Sequence, residues 1–297
     1  MAAPNAPSPP DPSPTPDPAN PDAPPLDPAL ARTIGAARDA LARASALVVT
    51  AGAGMGVDSG LPDFRGNEGF WKAYPPFARL GLGFTSLANP RWFHSDPALA
   101  WDFYGHRLEL YRATVPHAGF ELLRAFASTL PDGAFVFTSN VDGQFQKAGF
   151  GRVCEAHGSI HHAQCLDGCG AELWPCDDRV NVDPDTMRAA EPWPRCPACG
   201  GLARPNILMF GDGGWDSQRS DQQERELARW LGRVQGPIAI VELGAGSAIP
   251  TVRAFSERLS RGRDATLIRI NPREPDGPRG TLSLPLPGLA GLRHLFA

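Results

Sequence analysis

Four cysteines fall into two close pairs, Cys165 and Cys169 in "CLDGCG" and Cys196 and Cys199 in "CPACGG". That spacing belongs to metal ligands rather than to a disulfide scaffold. Thiolates two or three residues apart can close on one tetrahedral ion, and the glycine after each arm lets backbone amides turn toward sulfur. Four soft ligands favour zinc over the hard cations and leave no position for water, so the ion is expected to be structural. It would hold together a module too small for a core of its own. The first arm is one residue wider than the commonest spacing, and Cys176 stands nearby as an alternative ligand. Cys154 reads as an inert buried thiol.

A second chemical signal is the glycine burst "TAGAGMGVDSGLPDFRG" at residues 50–66, which follows the apolar run "ALVVT". No glycine here opens the spacing of a Walker loop, and the third glycine of a dinucleotide fingerprint would fall on Val57. Gly52, Ala53 and Gly54 nonetheless allow backbone amides to approach a phosphate with no side chain in the way.

Such loops need strands to carry them. "ALVVT" (46–50), "AFVFT" (134–138), "NILMF" (206–210), "IAIVEL" (238–243) and "ATLIRI" (265–270) are short, nearly continuous apolar runs, as in strands buried on both faces. Stretches of helical period alternate with them: "DPALARTIGAARDALARAS", "HAGFELLRAFAST" and "SQRSDQQERELARWLGR". The expected class is α/β, a parallel sheet flanked by helices, with ligands bound beyond the carboxyl ends of the strands. Five small or polar segments follow the five runs and are expected to converge on one rim: "AGAGMGVDSG", "SNVDGQF", "GDGG", "GAGSAIP" and "NPRE". Between residues 66 and 116 an aromatic-rich stretch with Trp71, Trp92, Trp101, Phe103 and Tyr104 reads as a helical insert.

Composition sets the outer limits. A chain of 297 residues with 42% hydrophobic content can bury a substantial core. A formal charge of -4 gives no general attraction to nucleic acid or to anionic membranes. Residues 1–28 hold 12 of the 32 prolines and are expected to form a disordered tail without the marks of a secretory signal. No apolar run approaches the ~20 residues that span a bilayer, so the chain is expected to be cytoplasmic. Its oligomeric state is left open by the sequence.

The order of features is specific: "GAGMGVDSGLPDFRG", "TSNVDGQFQKAG", "EAHGSIHHAQC" leading into the paired cysteines, then "RPNILMFGD", "GAGSAIP" and "RINPRE". Over roughly residues 29–297 this resembles the sirtuins, the NAD-dependent protein-lysine deacylases. The resemblance implies a Rossmann-like NAD-binding domain over 29–160 and 203–297, with 66–116 as helical insert and cofactor loop, and a zinc-ribbon module over 161–202. It implies NAD and structural zinc as cofactors and an acylated protein or peptide as partner, with neither nucleic acid nor membrane.

Residue roles follow by the same resemblance. The first loop wraps the pyrophosphate and nicotinamide ribose. Asp63, Phe64 and Arg65 shape the nicotinamide side, with Phe64 shielding the reactive sugar carbon and Arg65 ordering the loop. Asn140 and Asp142 match the pair that contacts the nicotinamide ribose and carboxamide. His157 matches the catalytic histidine, since imidazole near its neutral pKa can accept a ribose hydroxyl proton; His161 and His162 read as structural. Gly244, Ser247 and Asn271 are candidates for the adenosine half. The substrate backbone is expected to add as a strand between Phe210, Gly211 and Asp212 and the "GAGSAIP" loop.

Tyr104 and Arg107, three residues apart in "WDFYGHRLELYR", resemble the pair by which one sirtuin branch receives succinyl, malonyl or glutaryl lysine. A core tyrosine beside a snorkelling arginine is the competing reading. Two departures stand near the nicotinamide ribose: Gly56 where the family usually has Ser, and Ser139 where it has Gln. The adenosine-side loop is also one residue shorter before Pro250. These departures keep two alternatives in play, ADP-ribosyl transfer or NAD hydrolysis at the same site, and a noncatalytic NAD-binding module.

Overall fold

The computed structural model describes residues 26–63, 66–183 and 185–296. Phe64, Arg65 and most of the proline-rich segment lie outside the described residues, and the first helix starts at Pro28 and runs to Arg43.

Eleven strands are described: β1 Ala46–Ala51, β2 Ala134–Thr138, β3 Val153–Glu155, β4 Gly158–Cys165, β5 Trp174–Pro175, β6 Asn181–Val182, β7 Ala189–Ala190, β8 Ala203–Ile207, β9 Ile238–Leu243, β10 Ala265–Ile270 and β11 Leu282–Leu284. Six form one sheet in the order β11-β10-β9-β1-β2-β3, and every pairing in it is parallel. The apolar runs explain this. All residues of β1 and β9 are buried because helices cover both faces. One face packs under the helices Pro28–Arg43, Ala118–Ala127 and Gly288–Phe296, and the other under Gln218–Arg233 and Thr251–Gly262.

From β1 the chain moves outward through β2 and β3 on one side, while β9, β10 and β11 continue on the other. The strand order therefore reverses between β1 and β9, and a crevice opens at such a switch point beyond the carboxyl ends of the strands. An ion cluster joins neighbouring strands to the covering helix: Arg269 Nε donates to Glu242 Oε1 on β9 at 2.5 Å, and Nη2 to Glu257 Oε1 on the helix Thr251–Gly262 at 3.0 Å.

One of the five expected sheet strands sits elsewhere. "NILMF" does not join the parallel sheet: β8 ends at Ile207 and pairs antiparallel with β4 in a separate three-stranded sheet, β5-β4-β8. An apolar run reports burial and not the partner strand. The partner is fixed by Gly158, held at φ +76, where a Cβ would sit 2.1 Å from the Asn206 carbonyl oxygen. Only glycine lets β4 start that close to β8.

Helices occupy the stretch between Gly66 and Ala113, and their side chains form a second core with the small sheet. Rings of Phe70, Tyr74, Phe77 and Phe103 stack or meet edge to face at centroid separations of 5.1 to 6.4 Å. Among the described residues no helix is long and apolar enough to cross a membrane.

Candidate active site

A cavity of about 520 Å³ opens at the switch point and takes its walls from both cores. Gly52 and Ala53 line it from the end of β1, Ser139 to Asp142 from the end of β2, and His157 from just beyond β3. Gly244 to Gly246 enter after β9, and Leu208, Met209 and Phe210 follow β8. Three of the five expected rim segments thus converge; "GDGG" only adjoins the wall through Phe210, and the segment around Asn271 lies behind it.

Sheet register brings the polar residues together. Thr138 is paired with Glu155 across β2 and β3, and Asn140 and His157 each stand two residues further on. Adjacent strands are about 4.8 Å apart, so the two side chains leave the sheet edge as neighbours. Asn140 Nδ2 donates to the Gly52 carbonyl at 2.9 Å, and its amide donates to Thr138 Oγ1 at 3.0 Å, which ties the second loop to the first.

His157 is half-buried. Its Nε2 lies 3.1 Å from Thr251 Oγ1, and burial pushes the imidazole below its ordinary pKa of 6.5. Asp142 is buried, its Oδ1 accepting from the Gln144 amide at 2.9 Å. Burial first, and then the charge of Glu155, push its carboxyl up to about 6, against the pull of the Gln144 amide. His161 Nε2 donates to the Asp142 carbonyl, 2.9 Å away, and so supports the loop.

The glycine loop works differently from its expected role. The Gly52 amide donates to the Leu243 carbonyl at 3.0 Å and the Gly54 amide to the Gly244 carbonyl at 3.1 Å, so neither amide points at the cavity. Glycine is required because the two loops press backbone on backbone: a Cβ on Gly244, at φ +56, would lie 2.4 Å from the Gly54 backbone. Ala53 is the exposed member of the three, at the start of the 3-10 helix Ala53–Ser59.

Three further candidates are turned away from the cavity. Ser247 donates from its amide and hydroxyl to the Glu274 carboxylate at 2.8 and 2.9 Å. Asn271 is fully buried; its Nδ2 donates to Ala245 O at 3.0 Å, and its Oδ1 accepts from the Arg273 and Glu274 amides. The Asp212 side chain is buried in an ion pair with Arg204 and accepts from the Met209 and Gly214 amides, so its carboxylate fixes the turn at Gly211. Phe210 keeps an exposed ring at the mouth, although its amide donates to Ala88 O at 2.9 Å. Asp63 lines the cavity wall.

Of the two departures, Ser139 lines the cavity and Gly56 does not. A Cβ on Gly56 would meet the Leu61 side chain at 3.1 Å, so the Leu61 chain fills the space beside it.

Tyr104 and Arg107 both lie in the cavity wall on the helix Pro97–Ala113 and are buried. Sequence reading missed Tyr111, one helical turn beyond Arg107, and Thr251, the first residue of the helix Thr251–Gly262. The i, i+4 spacing after Arg107 carried the first signal; nothing local marked the second.

The four thiol sulfurs of Cys165, Cys169, Cys196 and Cys199 lie within 4.8 Å of one another. This donor set fits a tetrahedral zinc. The Gly201 amide donates to Cys199 Sγ at 3.4 Å, the turn that the trailing glycine permits. Cys176 is no part of this cluster; it is buried in the core beside the helical insert. Burial pushes the Cys154 thiol up to about 12, as suits an inert residue.

The chain is similar to known proteins in sequence and in fold. A profile of the Sir2 family matches residues 52–228. An NAD-dependent protein deacylase of Aeropyrum pernix is 32% identical over 249 residues, covering 83% of this chain and 88% of that protein. NAD-dependent protein deacylase 2 of Pyrobaculum aerophilum is 33% identical over 234 residues, covering 78% and 82%. The crystal structure of a Sir2 homologue in complex with NAD superimposes with a TM-score of 0.63 at 26% identity and covers 91% of each chain. On the family profile, the near-complete overlap with curated relatives and the shared fold, this chain belongs to the Sir2 family, the sirtuins.

Proposed function

We propose that the protein is an NAD-dependent protein-lysine deacylase that converts NAD and an acylated lysine into nicotinamide, free lysine and acyl-ADP-ribose. The observation that carries this reading is the meeting of His157, Asn140 and Asp142 with both glycine loops around one cavity at the switch point. NAD is a consumed substrate here, and the relatives' names are the second support.

The chemistry assigned to the chain's own residues is as follows. Asn140 and Asp142 hold the nicotinamide ribose and carboxamide while the acyl carbonyl oxygen attacks the anomeric carbon and the bond to nicotinamide breaks. The cation-like sugar needs dry, fixed surroundings, which the apolar walls from Leu61, Val141 and Ile207 supply. The product of that step is an alkylamidate. His157, neutral because burial lowers its pKa, takes a proton from a ribose hydroxyl as that oxygen attacks the amidate carbon. Water then completes release of lysine and acyl-ADP-ribose. Zinc on the four cysteines braces the small module and takes no part in these steps.

For the acyl group we read a preference for chains that end in a carboxylate. Arg107 lines the cavity beside Tyr104, whose Oη is buried with no hydrogen-bond partner among the described residues. Equal rates on succinyl- and acetyl-lysine peptides, or an unchanged ratio of the two in Arg107→Met, would refute that reading.

Ser139, small where the family has a longer amide, favours one competing outcome: water in the freed space cleaving NAD without deacylation. Mass spectrometry of an acylated peptide incubated with NAD separates the readings. Acyl-ADP-ribose supports deacylation, modified peptide supports ADP-ribosyl transfer, and free ADP-ribose as the only nucleotide product supports hydrolysis.

A further inference from the structure

Tyr104, Arg107 and Tyr111 stand at i, i+3 and i+7 on the helix Pro97–Ala113, a spacing that returns to one helix face, and all three line the cavity. The Tyr111 hydroxyl accepts from Arg107 Nε at 3.1 Å and from Arg107 Nη2 at 2.8 Å. A guanidinium is planar, so two donors converging on one oxygen fix both its position and its plane. Aromatic rings complete the box: the guanidinium carbon lies 5.2 Å from the Phe103 centroid, 5.3 Å from Tyr111, 5.7 Å from Tyr104 and 5.8 Å from Phe84.

A phenol orients a cation without cancelling its charge, whereas a carboxylate in the same place would do both. Burial raises the pKa of the Tyr104 and Tyr111 phenols and keeps them protonated. Tyr104 therefore brings an O–H donor, buried and unmatched among the described residues, to the wall that holds the cation. A flexible arginine would otherwise have to be ordered when the substrate arrives, and ordering weakens binding.

We propose that Tyr111 is a specificity-determining positioning residue, whose hydroxyl presets the Arg107 guanidinium so that an acyl chain ending in a carboxylate meets that cation and the Tyr104 hydroxyl together. This rests on the acidic-acyl reading above and assigns it a residue that the Tyr104 and Arg107 pair alone does not contain.

The test compares kcat/KM for succinyl and acetyl forms of one peptide, at saturating NAD, on the wild type, Tyr111→Phe and Arg107→Met. The succinyl-to-acetyl ratio is formed within each preparation, so a partly inactive variant changes both terms equally. Losing a charge-assisted bond that fixes the guanidinium is expected to lower the ratio about tenfold in Tyr111→Phe, chiefly through a higher KM for the succinyl peptide. A wild type that prefers succinyl, loses the preference in Arg107→Met and keeps it in Tyr111→Phe overturns the role of Tyr111 while leaving the acidic-acyl reading intact. A fall in kcat on both peptides at constant ratio in Tyr111→Phe also overturns it, as a merely structural role. A wild type without preference, or an Arg107→Met variant with an unchanged ratio, overturns both readings.

Discussion

His157 Nε2 lies 3.1 Å from Thr251 Oγ1, so an imidazole beyond β3 is steadied by a hydroxyl on the first turn of the helix after β9. The contact links the β3 side of the sheet to the β9 side. It gives the proposed base a fixed ring orientation before any substrate arrives. Thr251→Val is expected to lower kcat about three- to tenfold, the range for a lost neutral hydrogen bond of about 1 kcal/mol or slightly more. Thr251→Ser is expected to restore most of it. Steady-state kinetics on both variants checks this, and an unchanged kcat in Thr251→Val removes the threonine from the account.

The histidine also sets a pH dependence. A base works in its unprotonated form, and burial lowers the His157 pKa from 6.5. The acid limb of kcat governed by this group is therefore displaced below the position of an ordinary histidine. A pH–rate profile of the wild type checks this, and a kcat acid limb at or above 6.5 would contradict it.

Asp142 carries a stability cost at working pH. Its carboxyl ionises near 3.8 when unfolded and at about 6 when folded, so the native state binds more protons between those values. Stability accordingly falls as pH rises through that window, by about 3 kcal/mol in order of magnitude. Asp142→Asn keeps the acceptor for the Gln144 amide and removes the charge. It is expected to melt higher than the wild type at pH 7.5, to lose that advantage at pH 4, and to lose activity. Thermal melts at both pH values test the sign.

Asp212 is a structural anchor for the turn that follows β8. Its carboxylate is buried with Arg204 and holds the Met209 and Gly214 amides. Asp212→Ala leaves the Arg204 charge unmatched by that carboxylate, and a loss of roughly 3–5 kcal/mol is expected in denaturant unfolding. Asp212→Asn is milder and is expected to raise the peptide KM more than the NAD KM, because the turn carries Phe210 at the mouth.

Metal should follow the four clustered cysteines. Cys196→Ser is expected to lose zinc by elemental analysis and to lower Tm by roughly 10 °C, as the module loses its tie. Cys176→Ser is expected to retain full zinc content, since Cys176 sits apart from the cluster.

Local chemistry explains what was legible in the sequence. Strands β1, β2, β9 and β10 are continuous apolar runs that need no knowledge of the rest of the chain, and the cysteine cluster is written in short spacings. Long-range pairing hid the remainder. β3 and β11 are three-residue strands recognised only through β2 and β10, and "NILMF" belongs to the small sheet because β4 recruits it. The same holds in the site. Gly52 and Gly54 look like phosphate-loop amides until Leu243 and Gly244 accept from them, and Ser247 looks like a ligand contact until Glu274 meets it. Thr251 lies 94 residues from the histidine it steadies, and no spacing rule reaches that far.

The central claim is that one cavity couples cleavage of NAD to deacylation. Initial rates of nicotinamide release, measured alongside free lysine formed from an acylated peptide, test it most directly. The account predicts equal rates of the two and no nicotinamide release above background when the acylated peptide is omitted; release at an undiminished rate without the peptide would contradict it.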